Sequence, residues 1–154
     1  MRPVRVTTAV PHPVERVYDF LDVMANHEPF TNHMLKDWEY WGPERGVGAR
    51  ARVTATLAGR SEPIEIEVIA AERPRMIVEQ NIGAGGQRIA TGTYTLESRG
   101  SGTLIAFEYA WKQAPLSERL AAPLVRAILT AANRRALARL AEQLTKSVEP
   151  AHAG

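Results

Sequence analysis

Apolar residues alternate with polar ones at the start of the chain and then change to a helical spacing. Within Arg2 to Val10, one face carries Val4, Val6, Thr8 and Val10, and this alternation predicts a β-strand that ends at Pro11. Apolar residues then recur three and four positions apart, at Val14, Val17, Tyr18 and Leu21. This spacing predicts an amphipathic helix with Pro13 in its first turn. A second short helix or a turn is expected at Asn26 to Phe30.

Six further segments show the period of two that is typical of half-buried strands. They are Leu35 to Trp41, Gly48 to Leu57, Ile64 to Val68, Met76 to Ile82, Gln87 to Leu96 and Thr103 to Trp111. Most are separated by short turns, among them Gly42-Pro43, Gly59 to Pro63, and Ser98 to Gly102. Such short connections join neighbouring strands as hairpins, so the sheet is predicted to be antiparallel.

The segment from Leu116 to Val148 contains no glycine and is dominated by alanine, leucine and arginine. It predicts one long helix with an irregularity at Pro123. One stripe of this helix carries Leu137, Leu140, Leu144 and Val148. A meander of strands exposes one apolar face, and this helix is the long element available to cover it. The predicted fold class is therefore α+β, with a curved antiparallel sheet of about seven strands gripping the C-terminal helix.

Composition narrows the class of protein. The chain has 154 residues, of which 45% are hydrophobic and 23% charged, as expected for one globular domain with a sizeable core. We expect that domain to span residues 1–148 and residues 149–154 to be a disordered tail. The net charge of +2 predicts no nucleic-acid partner. No stretch approaches the roughly 18 apolar residues of a membrane span, so we expect a cytoplasmic protein.

Metal and cofactor chemistry find little support in the sequence. The absence of cysteine excludes disulfides, iron–sulfur clusters and thiolate metal sites. The histidines are His12, His27, His33 and His152. They form no pair at metal-ligand spacing, so surface or loop positions are expected for them. Gly83 to Gly86 lies between two strands and lacks the ending of a phosphate loop. We therefore predict no cofactor and no metal.

The inward face of Gly48 to Leu57 is largely alanine, and such small side chains leave room for a void beside the helix. The strand residues predicted to bind a ligand there are Ala51, Val53, Ala55, Tyr94, Tyr109 and Trp111. Tyrosine and tryptophan suit this role because an apolar body meets the ligand while a polar tip orients it. Arg50 and Arg52 alternate with the alanines and should face solvent, unless a bulge reverses the register and makes them anchors for an anionic ligand.

Polar residues appear where the leucine stripe of the long helix is extended toward its N-terminus. They are Arg126, Thr130 and Asn133, and we predict that they meet the ligand or water, because unpaired polar groups are costly to bury. The alternative is a phase shift near Pro123 that buries Leu120, Leu124 and Ile128 instead. The segment Ala121 to Ala132 is apolar nearly all round, which makes a homodimer a further expectation.

Four segments resemble the START/SRPBCC superfamily, the helix-grip proteins that include birch-allergen-like, polyketide cyclase-like and lipid-transfer domains. They read VTTAVPHPVERVYDFLDV, GVGARARV, GTYTLESRGSGTLIAFEY and RRALARLAEQL. Their order and spacing extend the resemblance from Val4 to about Leu144. His12-Pro13 departs from the small residues that are usual before the first helix. The resemblance implies the helix-grip fold and a small hydrophobic ligand, and it names no catalytic residue.

Three functions stay open at this point. The first is binding of a lipid, an aromatic compound or a polyketide-like metabolite in the cavity. The second is a polyketide cyclase or dehydratase activity, which needs a proton-transfer residue. The candidates for that residue are Tyr94, Tyr109, His33 and Glu108. The third is an interaction module that binds a partner protein through Ala121 to Ala132.

Overall fold

The computed structural model describes residues 1–148 of the chain. In this range the elements are β1 (Val4–Val10), α1 (Val14–Asp22), α2 (His27–Thr31), β2 (Leu35–Trp41), β3 (Arg50–Leu57), β4 (Arg60–Glu72), β5 (Met76–Gly83), β6 (Arg88–Arg99), β7 (Gly102–Gln113), α3 (Leu116–Leu120) and α4 (Ala122–Val148). Short 3₁₀ turns lie at Met24–Asn26 and Ala84–Gly86. The predicted tail, residues 149–154, lies outside the described residues.

The seven strands form one antiparallel sheet in the order β1-β7-β6-β5-β4-β3-β2. From β2 to β7 each strand pairs with the next one in the chain, as short connections require. β1 pairs with β7, from Val4 opposite Tyr109 to Val10 opposite Thr103. The predicted fold class, an antiparallel sheet gripping a C-terminal helix, is confirmed.

The turn between β3 and β4 is shorter than the sequence predicts. Leu57 pairs with Arg60, which leaves Ala58 and Gly59 as the turn, with φ of 51° and 78°. Positive φ at both positions matches the twist of paired strands, as in a type I′ turn. The predicted turn is therefore wrong from Arg60 onward, and Pro63 pairs within β4.

The C-terminal helix is interrupted at Ala121 rather than at Pro123. Ala121 has φ −100° and ψ 22°, and it separates α3 from α4. Pro123 lies in the first turn of α4, where a backbone N–H has no partner within the helix. The predicted leucine stripe is buried, since Leu137, Leu140 and Leu144 are at most 2% exposed.

The packed core lies under the C-terminal part of α4. Leu140 and Leu144 belong to one buried cluster with side chains of α1, α2 and the sheet. The largest fully buried members of this cluster include Leu21, Phe30, Ile77 and Ile105. None of the residues of α3 is buried. The space under the N-terminal part of α4 is not filled in the same way, and it forms the cavity described next.

Candidate ligand-binding cavity

A cavity of about 840 Å³ lies between the sheet and the part of α4 that runs from Leu124 to Leu137. Apolar and aromatic side chains make up much of its wall. They include Phe30, Met34, Leu35, Trp38, Leu57, Ile64, Phe107, Tyr109, Trp111, Val125, Ile128 and Leu129. The volume falls within the range of roughly 300 to 1,000 Å³ that is common for small-molecule sites.

β7 contributes a row of aromatic side chains to this wall, because Phe107, Tyr109 and Trp111 alternate along one face. The rings of Tyr109 and Trp111 meet edge to face with centroids 5.0 Å apart. The ring centroids of Phe107 and of Tyr94 on β6 are 4.8 Å apart. Gly92 makes this packing possible, since a Cβ at that position would lie 2.9 Å from the ring of Phe107.

Charged side chains from three elements meet at the end of the cavity away from the packed core. Arg88 of β6 donates from Nε to Oε2 of Glu118 on α3 at 3.0 Å, and its terminal nitrogens donate to Glu118 and to Glu62 of β4. The hydrogen bonds to Glu118 are the main reason that the pKa of Arg88 is raised. These contacts hold α3 against the sheet. Nearby, burial raises the pKa of Tyr109 to about 12.

His27 of α2 and Glu79 of β5 form a polar spot in the wall near the packed core, where they are only 4% and 6% exposed. Nε2 of His27 lies 2.7 Å from the carbonyl oxygen of Leu21. A carbonyl only accepts, so Nε2 carries the proton in this bond. Nδ1 faces Oε1 of Glu79 at 3.8 Å. Burial raises the pKa of Glu79, and the charge of His27 opposes this shift.

Other hydrogen-bonding groups lie in the same wall. The ring of Tyr94 meets His27 edge-on, with centroids 5.6 Å apart. Burial, and after it the charge of Glu79, raises the pKa of Tyr94, so its hydroxyl keeps its proton at neutral pH. Within residues 1–148, the indole nitrogens of Trp38 and Trp111 are buried without a hydrogen-bond partner. The cavity wall therefore contains polar groups set in an apolar surface.

The sequence matches the family described as polyketide cyclase/dehydrase and lipid transport over residues 1–145. The chain belongs to this family. The resemblance to helix-grip proteins that the sequence suggested is thereby confirmed. None of the curated proteins matches the sequence.

Solved structures similar to this polyketide cyclase/dehydrase family member share its fold at low identity. A protein of Thermus thermophilus is 21% identical with a TM-score of 0.74, and the match covers 95% of this chain and 99% of that one. The Zhui aromatase/cyclase from a Streptomyces species is 13% identical with a TM-score of 0.74, covering 96% and 95%. Ara h 8.0201 is 14% identical with a TM-score of 0.64, covering 94% and 98%.

The sequence predicted nine ligand-binding residues for this member of the polyketide cyclase/dehydrase family, and the cavity wall contains five of them. These are Ala55, Tyr94, Tyr109, Trp111 and Asn133. Their contact with a ligand stays a prediction. Ala51 and Val53 lie outside the wall, because the stretch of β3 that carries them belongs to the packed core. The face of β3 is thus shared between core and cavity.

Arg126 and Thr130 also lie outside the cavity wall, and the backbone satisfies their polar groups. Arg126 donates to the carbonyl oxygens of Arg2 and Pro3, both at 3.0 Å. Thr130 donates to the carbonyl oxygen of Arg126 within α4 at 2.7 Å. The alternative helix phase is wrong as well, because Leu120 and Leu124 are 77% and 63% exposed.

Two of the four proton-transfer candidates, His33 and Glu108, do not line the cavity. His33 donates from Nε2 to the carbonyl oxygen of Ala132 at 3.0 Å, and Nδ1 accepts from Arg139 at 3.2 Å. Glu108 is exposed on β7. Arg50 and Arg52 are exposed as predicted. Tyr94 and Tyr109 therefore remain as the candidates that line the cavity.

Sequence reasoning missed His27 and Glu79. The expected surface or loop position of His27 is wrong, since the residue is buried. A signal for Glu79 was present, because it alternates in phase with Ile77 on β5 and so places a carboxyl on the core face. No comparable signal marked His27, which lies in a five-residue helix.

Among residues 1–148, His, Asp and Glu side chains form no group of three or more that could hold a metal ion. No helix in that range is long and apolar enough to cross a membrane. The predicted absence of a metal and of a cofactor stays a prediction.

Proposed function

We propose that this protein binds a small hydrophobic molecule, such as a lipid, an aromatic compound or a polyketide-like metabolite, in the cavity under α4. The observation that carries this proposal is a space of about 840 Å³ with a largely apolar and aromatic wall. Unfilled apolar space forfeits dispersion contacts and costs stability, so an occupant of matching chemistry gains them on binding.

The comparisons support the same class of ligand. The description of the family joins polyketide cyclisation with lipid transport. An aromatase/cyclase is among the structures with this fold. Native mass spectrometry of the protein purified from its own host would report the mass of a ligand that co-purifies.

Two alanines on one face of β3 provide a test that separates a cavity from a packed core. Ala55 lines the cavity, whereas Ala51 belongs to the core cluster. We expect Ala55→Phe to lower the affinity for an environment-sensitive dye such as Nile red by about tenfold or more, with a change in unfolding free energy below about 1 kcal/mol. Ala51→Phe should overpack the core and cost about 1–3 kcal/mol.

Fluorescence titration and urea unfolding of both variants measure these effects. Both substitutions add the same ring, so a difference between the two variants reports on the site and not on the added side chain. Ala55→Phe should lose mainly dye affinity, and Ala51→Phe should lose mainly stability. Equal destabilisation by the two variants, together with no dye binding by the parent protein, would rule out a ligand cavity.

A second candidate function is catalysis of the cyclase or dehydratase type. Glu79 and His27 favour it, because a carboxyl and an imidazole in an apolar wall are suited to general acid–base chemistry. The β-hydroxy ketone formed from benzaldehyde and acetone is a simple probe, since loss of water yields the strongly absorbing benzylideneacetone. Faster formation of this product with the parent protein than with Glu79→Gln would support catalysis, and equal rates would count against it.

A further inference from the structure

The His27–Glu79 pair bears on which hydrophobic molecules the cavity accepts. Both side chains line the cavity, in a wall that also contains Phe30, Met34 and Phe107. Hydrophobic packing alone would favour an apolar side chain at position 79. A carboxyl and an imidazole there have hydrogen-bonding capacity that an apolar ligand surface would leave unused.

The orientation of His27 leaves one ring nitrogen available. Its Nε2–H is committed to the carbonyl oxygen of Leu21 at 2.7 Å, which turns Nδ1 toward Glu79. The distance of 3.8 Å between Nδ1 and Oε1 of Glu79 is too long for a direct hydrogen bond. A third polar atom about 2.8 Å from each would be hydrogen bonded to both.

The residues directly opposite Glu79 on the two neighbouring strands do not supply that atom. Gly92 is directly opposite on β6 and has no side chain, and the ring of Phe107 occupies the space beside it. Val68 is opposite on β4. Tyr94 reaches the same spot from β6, where its ring contacts that of His27.

The donor and acceptor atoms of His27 and Glu79 determine which polar group of a ligand could bind between them. Burial favours the neutral carboxyl of Glu79 over the carboxylate. A neutral imidazole whose proton is on Nε2 has the lone pair on Nδ1. A hydroxyl group can accept from the carboxyl and donate to Nδ1 at the same time. An ether oxygen can only accept. An ammonium group would require a buried ion pair with Glu79, which carries a large desolvation cost.

We infer that the cavity selects hydrophobic ligands that carry a hydroxyl group, and that His27 and Glu79 bind this hydroxyl. The inference rests on the proposed function, because it names the substrate class of the same cavity. It makes Glu79 a specificity-determining residue whose effect appears only with ligands that bear the hydroxyl.

Three probes with one ring system test the inference, namely naphthalene, β-naphthol and β-methoxynaphthalene. Their affinities are measured by displacement of the cavity-bound dye. β-Naphthol is the most polar of the three, so an apolar cavity would bind it least well. We expect the parent protein to bind it about tenfold more tightly than either of the others.

Glu79→Met keeps the volume of the side chain and removes its polar atoms, so we expect it to reduce this preference to about onefold while naphthalene still binds. Glu79→Gln retains a donor and an acceptor and should keep part of the preference. Glu108→Met is the matched control on the exposed side of β7, and this variant should keep the full preference for β-naphthol.

The outcomes separate the two proposals. Binding of all three probes with equal affinity, or a preference for β-naphthol that survives in Glu79→Met, overturns the inference and leaves the proposed function standing. Failure of the dye and of every probe to bind overturns the proposed function and the inference together. The expected pattern, a preference lost only in Glu79→Met, supports both.

Discussion

The carboxyl group of Glu79 lies on the inward face of β5, beside Ile77, in a position where strands of this sheet carry apolar side chains. Burial there raises its pKa above the ordinary value for glutamate. The unfolded chain exposes the same group to water and restores the ordinary pKa. The difference links the stability of the fold to pH.

The sign of this linkage follows from counting protons. Between the unfolded and the folded pKa of Glu79, the folded protein keeps a proton that the unfolded chain has lost, so raising the pH favours unfolding. We expect Glu79→Gln to lack this contribution. Its unfolding free energy, relative to that of the parent protein, should therefore rise as the pH increases above the ordinary pKa of glutamate.

Urea unfolding at several pH values measures the effect, and Glu108→Gln serves as an exposed control that should follow the parent protein. The comparison uses the slope against pH, because a buried amide at position 79 changes the absolute stability for reasons of its own. Parallel curves for Glu79→Gln and the parent protein would contradict a raised pKa for Glu79.

At the scale of elements, α3 depends on charge to stay in place. It has five residues and none is buried, so hydrophobic burial contributes little to holding it beside the cavity. Glu118 instead joins it to Arg88 of β6, which also binds Glu62 of β4. The side chain of Arg88 is 15% exposed, and partial burial reduces the screening that weakens surface ion pairs.

We therefore expect Glu118→Gln to loosen α3 and to speed release of a cavity-bound dye by about tenfold, with a change in unfolding free energy below about 1 kcal/mol. Arg88→Met should cost more, about 1–3 kcal/mol, because it leaves two carboxylates without their shared cation. Stopped-flow release and urea unfolding check these expectations.

Arg50→Gln provides the matched control for this ion pair. Arg50 and Glu67 form an exposed ion pair on the sheet, with Nε and Oε1 3.5 Å apart. Loss of this pair should change neither the release rate nor the stability measurably. Dye release that is equally fast in Glu118→Gln and in the parent protein would show that α3 does not limit access to the cavity.

At the scale of the whole molecule, one part of α4 packs in the core and another part forms a wall of the cavity. Its C-terminal part completes the core through Leu137, Leu140 and Leu144, while the part from Leu124 onward roofs the cavity. The side chains of Leu120 on α3 and Leu124 on α4 are largely exposed. An exposed apolar side chain such as that of Leu124 favours self-association, so the homodimer through residues 121–132 stays a prediction.

Sedimentation velocity over a range of concentrations tests this expectation. We expect a dimer that forms as concentration rises and that Leu124→Glu weakens by about tenfold or more, because a carboxylate would have to lose its water at the interface. Val47→Glu changes an exposed apolar residue elsewhere and should leave the dimer intact. A monomer at every concentration would exclude the homodimer.

The local pattern of the sequence was sufficient for the fold. Alternation predicted the seven strands, and the spacing of Leu137, Leu140 and Leu144 predicted the buried side of the long helix, because each pattern reflects which side of an element faces the core. The hairpin order followed from short connections. The family resemblance then extended the same conclusion over most of the chain.

Only the tertiary structure decided which part of an inward-facing strand lies in the packed core and which part lines the cavity. Ala51 and Ala55 share one face of β3, yet one is packed in the core and the other lines the cavity. Parity assigns a face, but the filling of the space opposite depends on how far α1, α2 and α4 extend over the sheet. No local pattern contains that distance.

The pairing of His27 with Glu79 likewise belongs to the tertiary structure. The two residues lie on different elements, and the packing of α2 against the sheet brings them within 3.8 Å. The alternation of β5 already placed the carboxyl of Glu79 on the inward face. What the sequence by itself determined is therefore the side on which each group lies, whereas the fold decided which group it meets, because contact requires two elements to be positioned at once.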